Sequence, residues 1–183
     1  MFIAGCAIAA VVPESQPADD GPGLQGAVTP KGQPQASWSL RDQDGKLVRA
    51  ADLRGKPVIL SFLYSTCQDT CPVTAQQVRG ALDKVGASLP TVAVSVDPAN
   101  DTPARAKAFL AKQSLTGRMQ FLLGTRAELQ RVWRAYGVQP QEQGLEHSAR
   151  VVVLDDAGRP AVVWPTDQLT PEGLAHDLRV LNR

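Results

Sequence analysis

Two cysteines lie four residues apart near the middle of the chain, in Cys67-Gln68-Asp69-Thr70-Cys71. In a helix or a tight loop, residues four apart are separated by about one turn, so both sulfurs can converge on one metal ion or close a disulfide. The pair follows an apolar run and precedes apolar residues at helical spacing. A helix N-terminus has free N–H groups and partial positive charge, which favour a thiolate. The position favours a chemical role, with a structural disulfide as the alternative.

The other donors in the chain limit which metal this pair could hold. There are only three cysteines and two histidines, whereas a structural zinc site would normally need four ligands. Two thiolates and one imidazole fit copper better, because soft sulfur selects Cu(I) and nitrogen helps to hold Cu(II). His147 is the candidate nitrogen, although a lone histidine in a polar loop is more often simply exposed. His176 is predicted to lie on a solvated helix face.

The N-terminal segment predicts export of the protein. Residues 1–12 are almost wholly apolar; they are too few to span a bilayer, which takes about 20 residues, but enough for the apolar part of a secretory signal. Ile3-Ala4-Gly5-Cys6 resembles the lipobox of bacterial lipoproteins, in which the cysteine receives lipid. Because only five residues precede Cys6, this interpretation expects the true start to lie upstream. A truncated membrane anchor with an incidental Cys6 is the alternative.

The rest of the chain divides into a predicted linker and one predicted domain. Residues 13–36 are rich in Pro, Gly, Gln and Asp and are predicted to be a flexible linker. Residues 37–183 are predicted to form the folded domain, since 43% apolar and 20% charged residues are ordinary for a globular protein. The net charge of +1, without a basic stripe, argues against nucleic-acid binding.

Alternating strand and helix patterns in this domain would position the cysteines. A hairpin is predicted around Asp42-Gln43-Asp44-Gly45. The predicted elements that follow are strands at 58–64, 91–96, 120–123, 150–154 and 161–164, and helices at about 72–86, from Pro103 to about Lys112, from the capping box Thr125–Glu128, and from Thr170-Pro171. This order predicts an α/β fold whose sheet has helices on both faces. Asp97, beside Pro98, most simply begins a turn, and a role near the cysteines is the alternative.

Three motifs resemble the Sco/SenC family of copper chaperones for cytochrome c oxidase assembly. The first is Cys67-x-x-x-Cys71-Pro72, which follows Tyr64-Ser65-Thr66. The second is the stretch Ser95–Pro103, which matches the family pattern S-x-D-P-x-x-D-T-P. The third is Glu146-His147-Ser148, where the family usually has Asp-His-Ser or Asp-His-Thr. The chain departs from the family at Gln68, where many members have proline, at Glu146, and in the short segment 139–144.

The resemblance implies a thioredoxin-like fold with a central mixed sheet and an N-terminal β-hairpin. It implies that Cys67, Cys71 and His147 bind Cu(I) or Cu(II), and that the two cysteines form a redox-active pair able to close a disulfide. The family is implicated in building the dinuclear copper site of cytochrome c oxidase subunit II, by giving copper, by reducing its cysteines, or both, so the resemblance implies that subunit or another copper protein as the partner. Its members are held by an N-terminal anchor on the periplasmic side of a bacterial membrane, and we expect a monomer.

Three other functions compete with a copper chaperone. The first is an extracytoplasmic thiol–disulfide oxidoreductase without a metal, although redox thioredoxins favour a C-x-x-C spacing. The second is a thioredoxin-like peroxidase, although Leu63-Tyr64-Ser65 stands where its proline motif is expected. The third is a structural adaptor whose cysteines only staple a loop.

Overall fold

The computed structural model describes residues 23–140 and 150–183 of the chain. In these ranges the strands are β1 (Ala27–Val28), β2 (Ser39–Arg41), β3 (Leu47–Arg49), β4 (Val58–Leu63), β5 (Thr91–Ser95), β6 (Gln120–Leu122), β7 (Arg150–Leu154) and β8 (Pro160–Pro165). The α-helices are α1 (Thr70–Val85), α2 (Pro103–Lys112), α3 (Arg126–Ala135) and α4 (Pro171–Leu181). None of these helices combines the length and the apolar character needed to cross a membrane.

Six strands form one mixed sheet in the order β1-β8-β7-β4-β5-β6. Strands β4, β5 and β6 run parallel to one another, whereas β7 pairs antiparallel with β4 and β8 pairs antiparallel with β7. Strands β2 and β3 form a separate hairpin, whose turn is closed by the Gly45 N–H donating to the Asp42 carbonyl oxygen at 2.9 Å. The predicted mixed α/β sheet and the predicted hairpin are confirmed.

Strand β4 is buried on both of its sides, which explains why all of its residues except Ser61 are apolar. Ile59 and Leu63 face one core, which also contains apolar residues of α1, α2 and α4 together with both central cysteines. Val58, Leu60 and Phe62 face the opposite core, which is built with α3 and the β2–β3 hairpin. The sheet therefore has helices on both faces, as the sequence predicted.

Helix α1 begins two residues earlier than predicted, so that Cys71 lies in its first turn. Pro72 is tolerated there because the first N–H groups of a helix have no partner within the helix. The helix ends at Gly86, whose φ of 68° lies in the left-handed region and whose N–H bonds to the Leu82 carbonyl oxygen. The position of this helix is what brings the cysteines to the end of β4.

The folded domain begins before Ser37, which corrects the predicted extent of the linker. Within the range 13–36, Ala27 and Val28 pair with β8 as strand β1, and the Gln25 and Gly26 N–H groups donate to the Asp177 carboxylate at 2.7 and 3.0 Å. Backbone pairing of this kind requires no apolar side chains, so composition alone did not reveal it. The predictions for residues 1–12 and 13–22 concern residues outside the described ranges.

The histidine of helix α4 also differs from its prediction. His176 is half-buried, and its Nε2 lies 2.7 Å from the Gly23 carbonyl oxygen. The predicted solvated face is therefore partly covered by the N-terminal segment, which the sequence analysis assigned to the linker.

Candidate metal and thiol site

Both central cysteines lie at the carboxyl end of strand β4, where the chain turns into helix α1. Cys67 is in the connecting loop and is 6% exposed, and Cys71 is in the first helical turn and is 1% exposed. This is the part of an α/β sheet that usually carries a ligand site. Burial comes from the apolar core beneath them, which includes Leu63 and Ala75.

A hydrogen bond joins the two cysteines. The Cys71 backbone N–H donates to Cys67 Sγ at 3.3 Å, and both cysteines are free thiols. The loop before them is closed by the Cys67 N–H, which donates to the Tyr64 carbonyl oxygen at 3.3 Å. The structure therefore confirms that the spacing brings these two residues together at the helix entrance.

The two thiols differ in their acidity. Burial pushes the pKa of Cys67 upward, but hydrogen bonds from the Cys71 thiol, from the backbone at Cys71 and Asp69, and from the Tyr64 side chain outweigh it, so the pKa is lowered. Burial raises the pKa of Cys71 strongly, against a hydrogen bond from the Tyr64 backbone. Cys67 is therefore the thiol that ionises first.

Tyr64 is a site residue to which the sequence analysis gave no role. Its phenol is hydrogen-bonded to the Cys67 thiol, and this bond, together with burial and the nearby thiols, raises the pKa of Tyr64. A tyrosine three residues before the first cysteine, where a buried strand ends, was the signal available in the sequence. Its hydrogen bond to the Cys67 thiol could not be predicted from the sequence, because it depends on the turn between Tyr64 and Cys67.

Asp97 begins the turn after β5, as the sequence predicted. Its carbonyl oxygen accepts hydrogen bonds from the N–H groups of Asn100 and Asp101 at 3.1 and 2.9 Å, and its side chain accepts one from Asn100 Nδ2 at 2.8 Å. Its charge also contributes to the raised pKa values of Tyr64 and Asp101, so the turn residue lies near the cysteine site as well.

Of the three predicted copper ligands, the structure brings together Cys67 and Cys71. His147, with Glu146 and Ser148, lies outside the described residues. Arg150, three residues later, begins β7 at the edge where β4 ends, since Val151 pairs with Ser61. Within residues 23–140 and 150–183, no group of three or more His, Cys, Asp or Glu side chains is arranged to hold a metal. Cys6 also lies outside these ranges.

A cleft of about 1340 Å³ lies at the opposite end of the sheet, where β5 and β6 begin. It is lined by charges of both signs, which include two ion pairs, with Lys107 Nζ 2.9 Å from Asp44 Oδ1 and Arg118 Nη1 2.7 Å from Asp83 Oδ1. The cleft is therefore separate from the cysteines and has no single charge that would select a ligand.

A mixed sheet covered by helices on both faces, with a dithiol where a central strand leads into a helix, defines a protein of the thioredoxin-like class. Within that class the chain belongs to the SCO1/SenC family, whose match covers residues 27–182.

The individual proteins similar to this chain include Sco proteins and one peroxiredoxin. The structure of Bradyrhizobium japonicum ScoI with copper bound is 31% identical and superimposes with a TM-score of 0.69, covering 80% of this chain and 98% of that one. The mitochondrial SCO1 homolog 1 of Arabidopsis thaliana is 32% identical over 105 residues, which are 55% of this chain and 31% of that protein. Chloroplastic peroxiredoxin Q of Populus jackii is 29% identical over 143 residues, 78% of this chain and 62% of that protein. The chain spans about a third to a half of the length of the first Sco relatives.

Proposed function

We propose that this protein is a copper chaperone of the Sco type, in which Cys67, Cys71 and His147 hold one copper ion. The observation that carries the proposal is the pairing of two buried thiols, joined by the 3.3 Å contact between the Cys71 N–H and Cys67 Sγ. The family of the chain and the copper bound to its Bradyrhizobium relative support copper as the cargo.

The donor set suits copper in both oxidation states. Two thiolates can satisfy Cu(I), which is soft and tolerates near-linear coordination, whereas Cu(II) prefers a set that includes nitrogen or oxygen. His147 would supply that nitrogen. The lowered pKa of Cys67 favours the thiolate that a metal requires, and binding of the metal would release the proton of Cys71.

The task we propose is to deliver copper to the dinuclear copper site of cytochrome c oxidase subunit II, to reduce the cysteines of that site, or both. In the reduction, the Cys67 thiolate would attack a partner disulfide and form a mixed disulfide while one partner thiolate leaves. Cys71, after losing its proton, would then attack Cys67 Sγ. The partner would leave with two thiols, and two electrons would have passed from the Cys67–Cys71 pair, which ends as a disulfide.

A thiol–disulfide oxidoreductase without a metal is the second candidate. The observation that favours it is the unequal acidity of the two thiols, since disulfide exchange begins with attack by a thiolate and Cys67 ionises more readily than Cys71. It makes no use of His147, and that residue distinguishes the two functions.

We also propose that the domain works as a monomer outside the cytoplasm, held at the periplasmic side of a bacterial membrane by its N-terminus, with lipid on Cys6. The apolar segment 1–12 and the lipobox-like sequence before Cys6 support this proposal. The intact mass of membrane-extracted protein tests it, because an unmodified Cys6 on a chain that still begins at Met1 would reject lipidation.

The test of copper binding is competitive titration of the reduced protein with Cu(I) and with Cu(II). We expect one copper ion per chain, and loss of tight binding when Cys67 and Cys71 are oxidised to a disulfide or replaced by serine, because the thiolate is the ligand. His147→Ala should weaken Cu(II) far more than Cu(I), since both sulfurs remain for Cu(I). His176→Ala is the matched control and should leave both affinities unchanged.

The outcomes separate the two candidate functions. Equal copper affinity in the oxidised and reduced protein would reject the cysteine site. Wild-type Cu(II) affinity in folded His147→Ala, checked by circular dichroism, would remove the third ligand and favour the oxidoreductase.

A further inference from the structure

A buried carboxylate lies behind the loop that carries Cys67. Asp101 is 9% exposed and accepts three hydrogen bonds. Its Oδ1 accepts from the Ser65 N–H at 2.7 Å and from Ser65 Oγ at 2.5 Å, and its Oδ2 accepts from Ser95 Oγ at 2.5 Å. Burial of a carboxylate is costly unless such bonds compensate it, so this cluster is a specific arrangement rather than a chance contact.

The three bonds join two neighbouring strand ends. Ser65 follows β4 and lies within the turn closed by the Cys67 N–H and the Tyr64 carbonyl oxygen, and Ser95 is the last residue of β5. Asp101 thus ties the cysteine loop to the next parallel strand of the sheet.

The cluster is itself attached to rigid parts of the fold. The Ser95 carbonyl oxygen accepts a hydrogen bond from Trp133 Nε1 at 2.9 Å, and that tryptophan is buried in α3. Asp101 is held by its own N–H, which bonds to the Asp97 carbonyl oxygen, and it directly precedes Thr102, the cap of α2. The cysteine loop is therefore anchored to elements on both sides of the sheet.

We propose that Asp101 is a positioning residue for the copper site, which fixes the Cys67 loop through its bonds to Ser65 and Ser95. This inference rests on the proposed function. Asp101 acts through the backbone of residues 64–67, and it keeps Cys67 Sγ at the distance from α1 that lets both sulfurs serve one ion. Groups that orient metal ligands in this way typically change metal affinity by about 10- to 100-fold when they are removed.

Two substitutions break the anchor by different routes. Asp101→Asn replaces one accepting oxygen by an NH₂ group, so one of the two serines loses its acceptor. Ser65→Ala removes one hydroxyl donor and leaves the carboxylate in place. Ser65→Thr keeps a hydroxyl at this position and should retain the hydrogen bond to Asp101. Asp177→Asn is the matched control, because Asp177 is also buried and also accepts three hydrogen bonds, but those bonds involve β8 and the N-terminal segment, with β7 lying between β8 and β4.

Three properties of the full-length protein are measured for each variant, and the copper measurements use the reduced form. They are the Cu(II) affinity by competition, the electron paramagnetic resonance and visible spectra of bound Cu(II), and, without metal, the midpoint potential of the Cys67–Cys71 pair. We expect Asp101→Asn and Ser65→Ala to lower Cu(II) affinity about 10- to 100-fold, to alter the spectrum and to shift the potential. Ser65→Thr and Asp177→Asn should resemble the wild type in all three.

The outcomes distinguish this inference from the proposed function. Wild-type copper affinity, spectrum and potential in folded Asp101→Asn and Ser65→Ala would overturn the positioning role, as would equal effects in Asp177→Asn. If the wild type itself binds no copper, the proposed function fails, and the midpoint potentials of the same variants still decide whether Asp101 fixes the cysteine loop.

Discussion

The two site cysteines meet different surroundings although only three residues separate them. Cys67 lies in a loop and accepts hydrogen bonds, whereas Cys71 lies in the first turn of α1, where burial dominates its pKa. Because a thiolate needs donors and loses solvation in an apolar core, the negative charge belongs on Cys67. This asymmetry suits both metal capture and disulfide exchange.

This difference predicts selective alkylation of Cys67 in the reduced, metal-free protein. The pKa of Cys67 is lowered, so its reactive thiolate is already populated at a pH where an ordinary cysteine is protonated, and its rate should level off at lower pH than that of a free thiol. The pKa of Cys71 is raised, so Cys71 should stay unreactive across the same range. Iodoacetamide labelling at several pH values, with the site identified by fragment mass spectrometry, measures both rates. Preferential labelling of Cys71 would contradict the assignment.

Among the elements, helix α1 begins differently from the other three. Helices α2, α3 and α4 each begin after a threonine whose side chain accepts a backbone hydrogen bond. Asp69 precedes α1 but makes no such bond, and the Cys71 N–H instead donates to Cys67 Sγ. The Cys67 sulfur thus accepts a backbone hydrogen bond at the start of this helix, as the threonine caps do in the other three.

The threonine caps should contribute measurably to stability. Thr125 Oγ1 accepts from the Glu128 N–H at 3.3 Å, and Glu128 Oε2 accepts from the Thr125 N–H at 2.7 Å. Thr125→Ala removes one half of this reciprocal pair and should lower the free energy of unfolding by about 1 kcal/mol. Urea denaturation measures the change, and Thr116→Ala, at an exposed turn position, is the control. Equal stability of the two variants would show that the cap contributes nothing.

At the scale of the whole molecule, the N-terminal segment of residues 23–29 adds the outermost strand, β1, to one edge of the sheet. Asp177 is fully buried, and its carboxylate binds the Gln25 and Gly26 N–H groups as well as Trp164 Nε1. Gly26 packs so tightly that a Cβ atom there would lie 2.4 Å from Val162 Cγ1. The segment is therefore an integral part of the domain.

Removal of this segment should destabilise the domain. A chain of residues 30–183 lacks β1 and leaves the Asp177 carboxylate with one of its three described donors. We expect its free energy of unfolding to be lower than that of residues 23–183 by at least about 2 kcal/mol, the scale of a buried polar group left unsatisfied. Urea denaturation of both chains makes the comparison, and equal midpoints and slopes would contradict it.

The sequence alone determined the features that depend on neighbours along the chain. Local conformational preference and periodicity predicted strand β4 from its apolar run, the hairpin from its Asp-Gly turn, and helix starts from their threonine caps. The four-residue spacing likewise predicted that Cys67 and Cys71 lie close together. The three family motifs extended this to the mixed sheet and to the copper hypothesis. The prediction for His147 stays a prediction, because that residue lies outside the described ranges.

Only the tertiary structure decided which distant groups meet. Asp101 lies 36 residues from Ser65, and Asp177 lies more than 150 residues from Gln25 and Gly26. Neither pairing leaves a periodic or local signal, since a buried carboxylate is satisfied by whichever donors the fold brings to it. Strand β1 was not predicted for the same reason. It lies in a stretch of linker-like composition and is held by backbone hydrogen bonds to a distant strand, which composition does not indicate. The acidity of Cys67 and the anchoring of its loop were decided in this way, by the packing of strand ends.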